Sequence, residues 1–146
     1  MSELQIYLPI KVLSANKAHT VIRGRIQVSR EMNTFKASVR RLLYVEEKKV
    51  KEFAESCGEY CLLKADYRFW IPAKELVTKK GRVSRTSTDI DNNLKYLNDA
   101  IFKALGKYNP NINDAFIMEL SAIKCEAIRK EYGVTILFQQ LHSYTR

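Results

Sequence analysis

Asp89, Asp91, Lys95, Asp99 and Asp114 are the side chains whose types and spacing could do chemistry in this chain. They put four carboxylates and a lysine into a short span of a protein with 25 Lys and Arg against 16 Asp and Glu, a formal net charge of +9. Carboxylates held together repel one another, and a divalent cation is the usual remedy when a polyanionic substrate is to be cut. Asp91, Lys95 and Asp99 follow at i,i+4 spacing, so on a helix they form one stripe beside its apolar face. Asp89 sits at the start of that helix, and Asp114 would have to come from the following strand. Mg²⁺ needs few protein oxygens and completes its octahedron with water and phosphate oxygens, so the chemistry indicated is metal-assisted cleavage of a phosphodiester.

The same residues have a plainer use. Thr88 with Asp91 three residues on matches a capping box, and acidic residues in a first helical turn are stabilising by about 0.3–1 kcal/mol each against the helix dipole. Lys95 between Asp91 and Asp99 is equally well placed for ordinary i,i+4 ion pairs worth a few tenths of a kcal/mol. Both alternatives stand on these residues alone. An EF-hand over Asp89, Asp91 and Asn93 is excluded, because Leu94 stands where that loop needs Gly and Ala100 where it needs a bidentate Glu.

The elements that must position these groups follow from periodicity. Leu4, Ile6 and Leu8 alternate with Gln5 and Tyr7 and predict a first strand running into Pro9. Residues 14–19 read as loop, and residues 21–28 as a short hairpin or extended piece around Gly24. Ser29 is a predicted N-cap for a long helix, since Phe35, Val39, Leu42, Leu43, Val50 and Phe53 recur at helical spacing up to Cys57-Gly58, with a break expected near Tyr44-Val45. Cys61, Leu63, Ala65, Tyr67, Phe69 and Ile71 alternate through a strand over 60–71, which Pro72 ends. A helix over 89–105 places Leu94, Leu97, Ile101, Ala104 and Leu105 on one face and stops at Gly106. Residues 114–129 and 132–141 predict two closing strands joined by a turn at 130–133. The expected fold is α+β, one domain over residues 1–146, with a small, mostly antiparallel sheet packed against two helices.

Residues 73–88 carry Lys74, Lys79, Lys80, Arg82 and Arg85 against Glu75, with Gly81 and several hydroxyl residues, and read as a mobile basic loop. Those five cations are the candidates for phosphate contacts, with Arg23, Arg25, Arg40 and Arg41 as further ones. Phe69 and Trp70 lie close enough to the loop to stack on bases, although sheet packing is the simpler role. The overall charge favours an acidic partner such as nucleic acid. Cys57, Cys61 and Cys125 lack zinc-ligand pairing, and only His19 and His142 could complete a site, so reduced thiols in a cytosol are expected. The amino terminus has no basic segment followed by an apolar one, and no apolar run approaches about eighteen residues, so export and membrane insertion are disfavoured.

Taken together, Asp89-Ile90-Asp91-Asn92, Lys95, Asp99-Ala100 and Asn113-Asp114-Ala115-Phe116-Ile117 resemble the motifs of the RusA family of Holliday junction resolvases, encoded by bacteria and their phages. Leu8-Pro9 and Ser14-Ala15-Asn16 fit the same pattern more loosely, and the resemblance is sharp only over residues 85–117. It implies metal-binding carboxylates at Asp89, Asp91 and Asp114 and a catalytic lysine at Lys95, with Asn92, Asp99 and Asn113 as supporting positions. It also implies Mg²⁺, with Mn²⁺ as a substitute, a homodimer, four-way DNA junctions cut by paired symmetric nicks, and action in the bacterial cytoplasm. Two positions depart from the family pattern: Asn113 replaces the first Asp of an acidic pair, and Asn93 stands where an apolar residue commonly follows. The first keeps open a RusA-like protein that binds branched DNA and cuts it weakly or not at all. A basic RNA-binding domain, whose carboxylates only cap a helix, is a further alternative.

Overall fold

The computed structural model describes residues 3–12, 19–82, 90–128 and 130–141, without the side chains of His19 and Asn92. It is an α+β protein. Among the described residues six strands and four α-helices follow in the order β1 (Glu3–Leu8), β2 (His19–Ile22), β3 (Arg25–Val28), α1 (Arg30–Val45), α2 (Glu47–Ser56), β4 (Leu62–Ile71), α3 (Ala73–Leu76), α4 (Ile90–Gly106), β5 (Ile117–Glu126) and β6 (Gly133–Leu141), with a 3₁₀ turn, Asp114–Phe116, ahead of β5.

Alternation decides which face of each strand is buried. In β1 Leu4, Ile6 and Leu8 are buried while Glu3, Gln5 and Tyr7 are exposed, and β4 buries Leu63, Ala65, Tyr67, Phe69 and Ile71 in the same way. The main sheet has the order β1-β6-β4-β5, and β2 and β3 form a separate hairpin. β6 is antiparallel to both β1 and β4, with Ile136 opposite Ile6 on one side and Tyr67 on the other. β4 and β5 are parallel. The sheet is therefore mixed, antiparallel in two of its three pairings. The chain between β4 and β5 carries α4, and a helical crossover of that kind returns the chain to the same end of the sheet, as parallel neighbours require.

The two closing strands are not neighbours. After β5 the chain passes the end of β4, where Ala127 N–H donates to Ile71 C=O at 2.8 Å, and β6 inserts on β4's other side. Pairing across the sheet cannot be read from the alternation of one strand, which specifies a face and not a neighbour.

Helices cover the buried face of the sheet. The long helix predicted from Ser29 divides at the anticipated break: Ser29 Oγ accepts from Met32 N at 3.0 Å to start α1, and Glu46, at φ −101° and ψ 24°, separates α1 from α2. With α4 this makes three long helices where two were expected. Met32, Phe35, Val39 and Leu43 of α1, Val50, Phe53 and Ala54 of α2, and Leu97, Ile101 and Leu105 of α4 face the core. Phe138 of β6 gathers them: its ring meets Phe53 at 6.4 Å, Phe102 at 5.5 Å and Tyr67 at 6.0 Å between centroids. No helix among the described residues is long and apolar enough to cross a membrane.

The hairpin turns at Arg23 and Gly24, with φ of 52° and 76°. Two successive positive φ values match the right-handed twist of the flanking strands, and Gly24 adopts its value without steric cost.

Candidate active site

α4 supplies the stripe. Its core face holds Leu97, Ile101 and Leu105, while Asp91, Lys95 and Asp99 are all exposed in a stripe to one side of it. Each i,i+4 step is about 6 Å of helix axis. Asp91 lies in the first turn, where a carboxylate is stabilised by the helix dipole. The expected ion pairs do not form: neither Asp91 nor Asp99 pairs with Lys95 among the described residues. The Lys95 ammonium instead lies 5.3 Å from the centre of the Tyr96 ring, a contact that leaves its charge available to an incoming anion. Thr88 and Asp89 lie outside the described residues, so the capping box and the first metal carboxylate are without structural description.

Asp114 arrives differently from expectation. It opens the 3₁₀ turn Asp114–Phe116 instead of lying in a strand, and β5 begins only at Ile117 and ends at Glu126. The cause is local: Asn113, in extended conformation, accepts from Ala115 N through its side-chain oxygen at 2.8 Å and starts the turn. Asn113 thus does capping work that Asp would do equally well, and its place in the fold does not call for a charge.

The turn packs against α4, and Tyr67 ties the two together. Tyr67 is fully buried on β4, and its hydroxyl donates to Asn98 Oδ1 on α4. Burial raises its pKa, and the negative charge of Asp114 raises it further, so the hydroxyl stays protonated and remains a donor. Asp114 is exposed above it. Asn98 is three residues beyond Lys95, within one turn of it along α4. Sequence reasoning missed Tyr67 and Asn98, and the signal available was slight: a tyrosine among the inward positions of β4, whose polar tip needs a partner when buried.

Whether these groups suit a divalent cation is a matter of donor chemistry. Asp91 and Asp114 are exposed carboxylates without ion-pair partners among the described residues. Hard oxygens of that kind suit Mg²⁺, which commonly takes one or two carboxylates together with substrate phosphates. No group of three or more His, Cys, Asp or Glu able to hold a metal occurs among the described residues; Asp89, the third expected ligand, is not one of them. Asn92 is on α4, its side chain undescribed. Asn93 is buried at 2% exposure, which makes its polarity a feature of the core. No buried side-chain nitrogen or oxygen among the described residues lacks a hydrogen-bond partner.

The basic segment is more ordered than a loop. Lys74 lies in α3, and residues 78–82 close a tight turn through Gly81 N to Thr78 O at 2.9 Å, Thr78 N to Arg82 O at 2.7 Å and Arg82 N to Thr78 Oγ1 at 3.2 Å. Gly81 takes φ 75° there. Lys79 and Lys80 occupy the exposed tip, and Arg82 is exposed beside them. Arg85 lies outside the described residues. Phe69 is core at 2% exposure, and Trp70 Nε1 donates to Thr135 Oγ1 at 2.8 Å, so both serve the sheet.

No protein-family model matches this chain, and no curated protein sequence does. The site's chemistry therefore rests on its own residues and on the motif resemblance over residues 85–117.

Of the cysteines, Cys57 is buried and Cys61 and Cys125 partly so, and all three are free thiols. Burial, reinforced by the neighbouring Cys61 thiol, pushes Cys57 up to about 12, which keeps it protonated and a poor nucleophile.

Proposed function

We propose that this chain is a divalent-metal-dependent endodeoxyribonuclease of the RusA type, acting as a homodimer on four-way DNA junctions in the bacterial cytoplasm, from a chromosomal or phage gene. The observation that carries the proposal is the stripe of Asp91, Lys95 and Asp99, exposed and not paired internally, on the helix against which the Asp114 turn packs. A helix stabilised by its own charges would spend Lys95 on its neighbours.

Asp91 and Asp114, with Asp89, would hold the metal, which when bound supplies Lewis acidity and an activated water. Lys95 places a positive charge where negative charge grows on the phosphate, and in-line phosphoryl chemistry depends mainly on such electrostatics and alignment. Asn98 and Tyr67 hold the helix and the Asp114 turn at fixed spacing. Lys74, Lys79, Lys80, Arg82 and Arg85 contact phosphates of the junction arms. Paired nicks in strands related by two-fold symmetry call for two equivalent sites, which a second copy of the chain supplies. Exposed apolar side chains on β5 (Met118, Leu120 and Ile123) and on the hairpin (Val21, Ile22, Ile26 and Val28) give that copy a surface to cover.

The test is cleavage of a labelled synthetic four-way junction, with Mg²⁺ and with chelator, by wild type, Asp91→Asn and Lys95→Ala at matched binding. The expected outcome is symmetric nicking that requires the metal and falls by about a hundredfold or more in both variants. Binding without nicks in Mg²⁺ and in Mn²⁺ would overturn the nuclease and leave a branched-DNA-binding protein, with Asn113→Asp the reversion to try. Equal affinity for structured RNA and for the junction would remove the DNA assignment as well.

A further inference from the structure

A trough with a volume of about 650 Å³ lies between α1, the start of α2 and α4. Its floor is apolar: Tyr44, 65% exposed, and the half-buried Ala100 and Ala104 lie over the buried Leu43 and Val50. The two alanines are i,i+4 on α4 and open the floor by their small size. Its walls are cationic: Lys36, Arg40 and Arg41 on α1, and Lys103 and Lys107 at the end of α4, against Asp99 alone. None of these five cations makes an ion pair among the described residues.

Five uncompensated cations around an apolar floor repel one another and leave hydrophobic surface wet, a combination relieved by an occupant with the opposite pattern. We infer that this trough is a docking site for an acidic amphipathic helix of another protein. The wall spacing is what favours a helix. Lys36 and Arg40 are one turn apart on α1, so that wall presents charges at the interval at which a helix repeats its own side chains, while Lys103 lies in the last turn of α4 and Lys107 just past its end. A helix with aliphatic residues at i, i+3, i+4 and i+7 sets them on the floor and brings flanking Glu or Asp to both walls. The volume agrees, since half of a helix about 10 Å across and three turns long displaces roughly 600 Å³. Duplex DNA fits less well: its phosphates would satisfy the walls, but it has no aliphatic surface for the floor. The trough's chemistry is independent of the nuclease proposed above, although Asp99 borders both.

The probe is a fluorescein-labelled synthetic helix of about four turns, with Leu at the floor positions and Glu beside them, titrated with the full chain and read by anisotropy. Controls are a scrambled peptide of identical composition and a single-stranded oligonucleotide of equal charge. The patterned peptide is expected to bind at least about tenfold more tightly than the scrambled one. It should lose about tenfold or more in Ala104→Trp, which fills the floor, and in the surface variant Lys103→Glu/Lys107→Glu, which reverses one wall without touching the core. Circular dichroism of both variants confirms that they are folded. Equal binding of patterned and scrambled peptides would overturn the inference, as would affinity unchanged in the folded variants. Displacement of the peptide by a more tightly bound oligonucleotide would assign the trough to nucleic acid instead.

Discussion

Asn113 shows how a residue that looks like a lost catalytic group can be a competent structural one. Its side-chain oxygen starts the turn that carries Asp114, and Asn and Asp are about equally good at that task. Cys57 is a residue whose ionisation bears on the stability of the fold. Its thiol is ordinarily near 9.0 and is pushed up to about 12 in the folded chain by burial and by Cys61. A raised folded-state pKa means that the folded state holds its proton more tightly, so this contribution is complete below about pH 9 and is lost as pH rises toward 12. Urea unfolding of wild type and Cys57→Ala across that range is expected to show the wild type losing its stability advantage, whereas below pH 9 the difference between the two stays constant. Sequence alone gave the Cys57 position its helix end, but not its burial, because burial of a helix end depends on which strand follows beneath it.

At the scale of elements, what was legible was periodic. Alternation in β1, β4 and β6 and helical spacing in α1, α2 and α4 are local patterns imposed by burial of one face. The break between α1 and α2 was legible too, where the run of apolar positions pauses after Leu43. The 3₁₀ turn and α3 were not, since elements of three or four residues have no period to detect. Asp91, Lys95 and Asp99 were legible as one stripe because a helix fixes their relation. Tyr67 and Asn98 come together only through the packing of β4 against α4. Asn109 performs a similar service at the other end of α4. Buried at 7% exposure, it donates through Nδ2 to Ala54 O and Gly58 O, both at 2.8 Å, and accepts from Asn111 N at 3.0 Å. It thereby fastens the end of α2 to the end of α4. Asn109→Ala removes a donor from the Gly58 carbonyl, leaves the Ala54 carbonyl only the Cys57 N–H at 3.3 Å, and releases the turn, and should cost about 2–4 kcal/mol. A lowered urea midpoint with unchanged m-value is the expected signature, and a change under about 0.5 kcal/mol would show that water replaces the side chain.

For the whole molecule, charge and the edge of the sheet carry the consequences. The excess of basic residues predicts junction binding that weakens steeply with salt, with a log-log slope of about 0.9 per phosphate neutralised on duplex arms. Replacing Lys79, Lys80 and Arg82 with Ala should flatten that slope and leave thermal stability unchanged; affinity unaltered at physiological salt would exclude the turn as a contact surface. β5 is one of the two edges of the sheet, with Leu120 56% and Ile123 44% exposed on opposite faces. Leu120→Glu should shift the proposed dimer toward monomer in sedimentation while preserving helix content, and an unaltered association state would move the interface to the hairpin. The parallel pairing of β4 with β5 has no counterpart in sequence periodicity, which is why the expected sheet was simpler than the one observed.

That parallel pair also dictates an order of events. β5 finds its place beside β4 only after residues 72–116 have been drawn into a closed crossover, as β6 does only after residues 72–132 have. Closing so long a segment is an entropic barrier that is crossed before β5 contributes any contacts in return. Every candidate catalytic residue lies inside it. The candidate site is thus completed only when that crossover closes and β5 lies along β4.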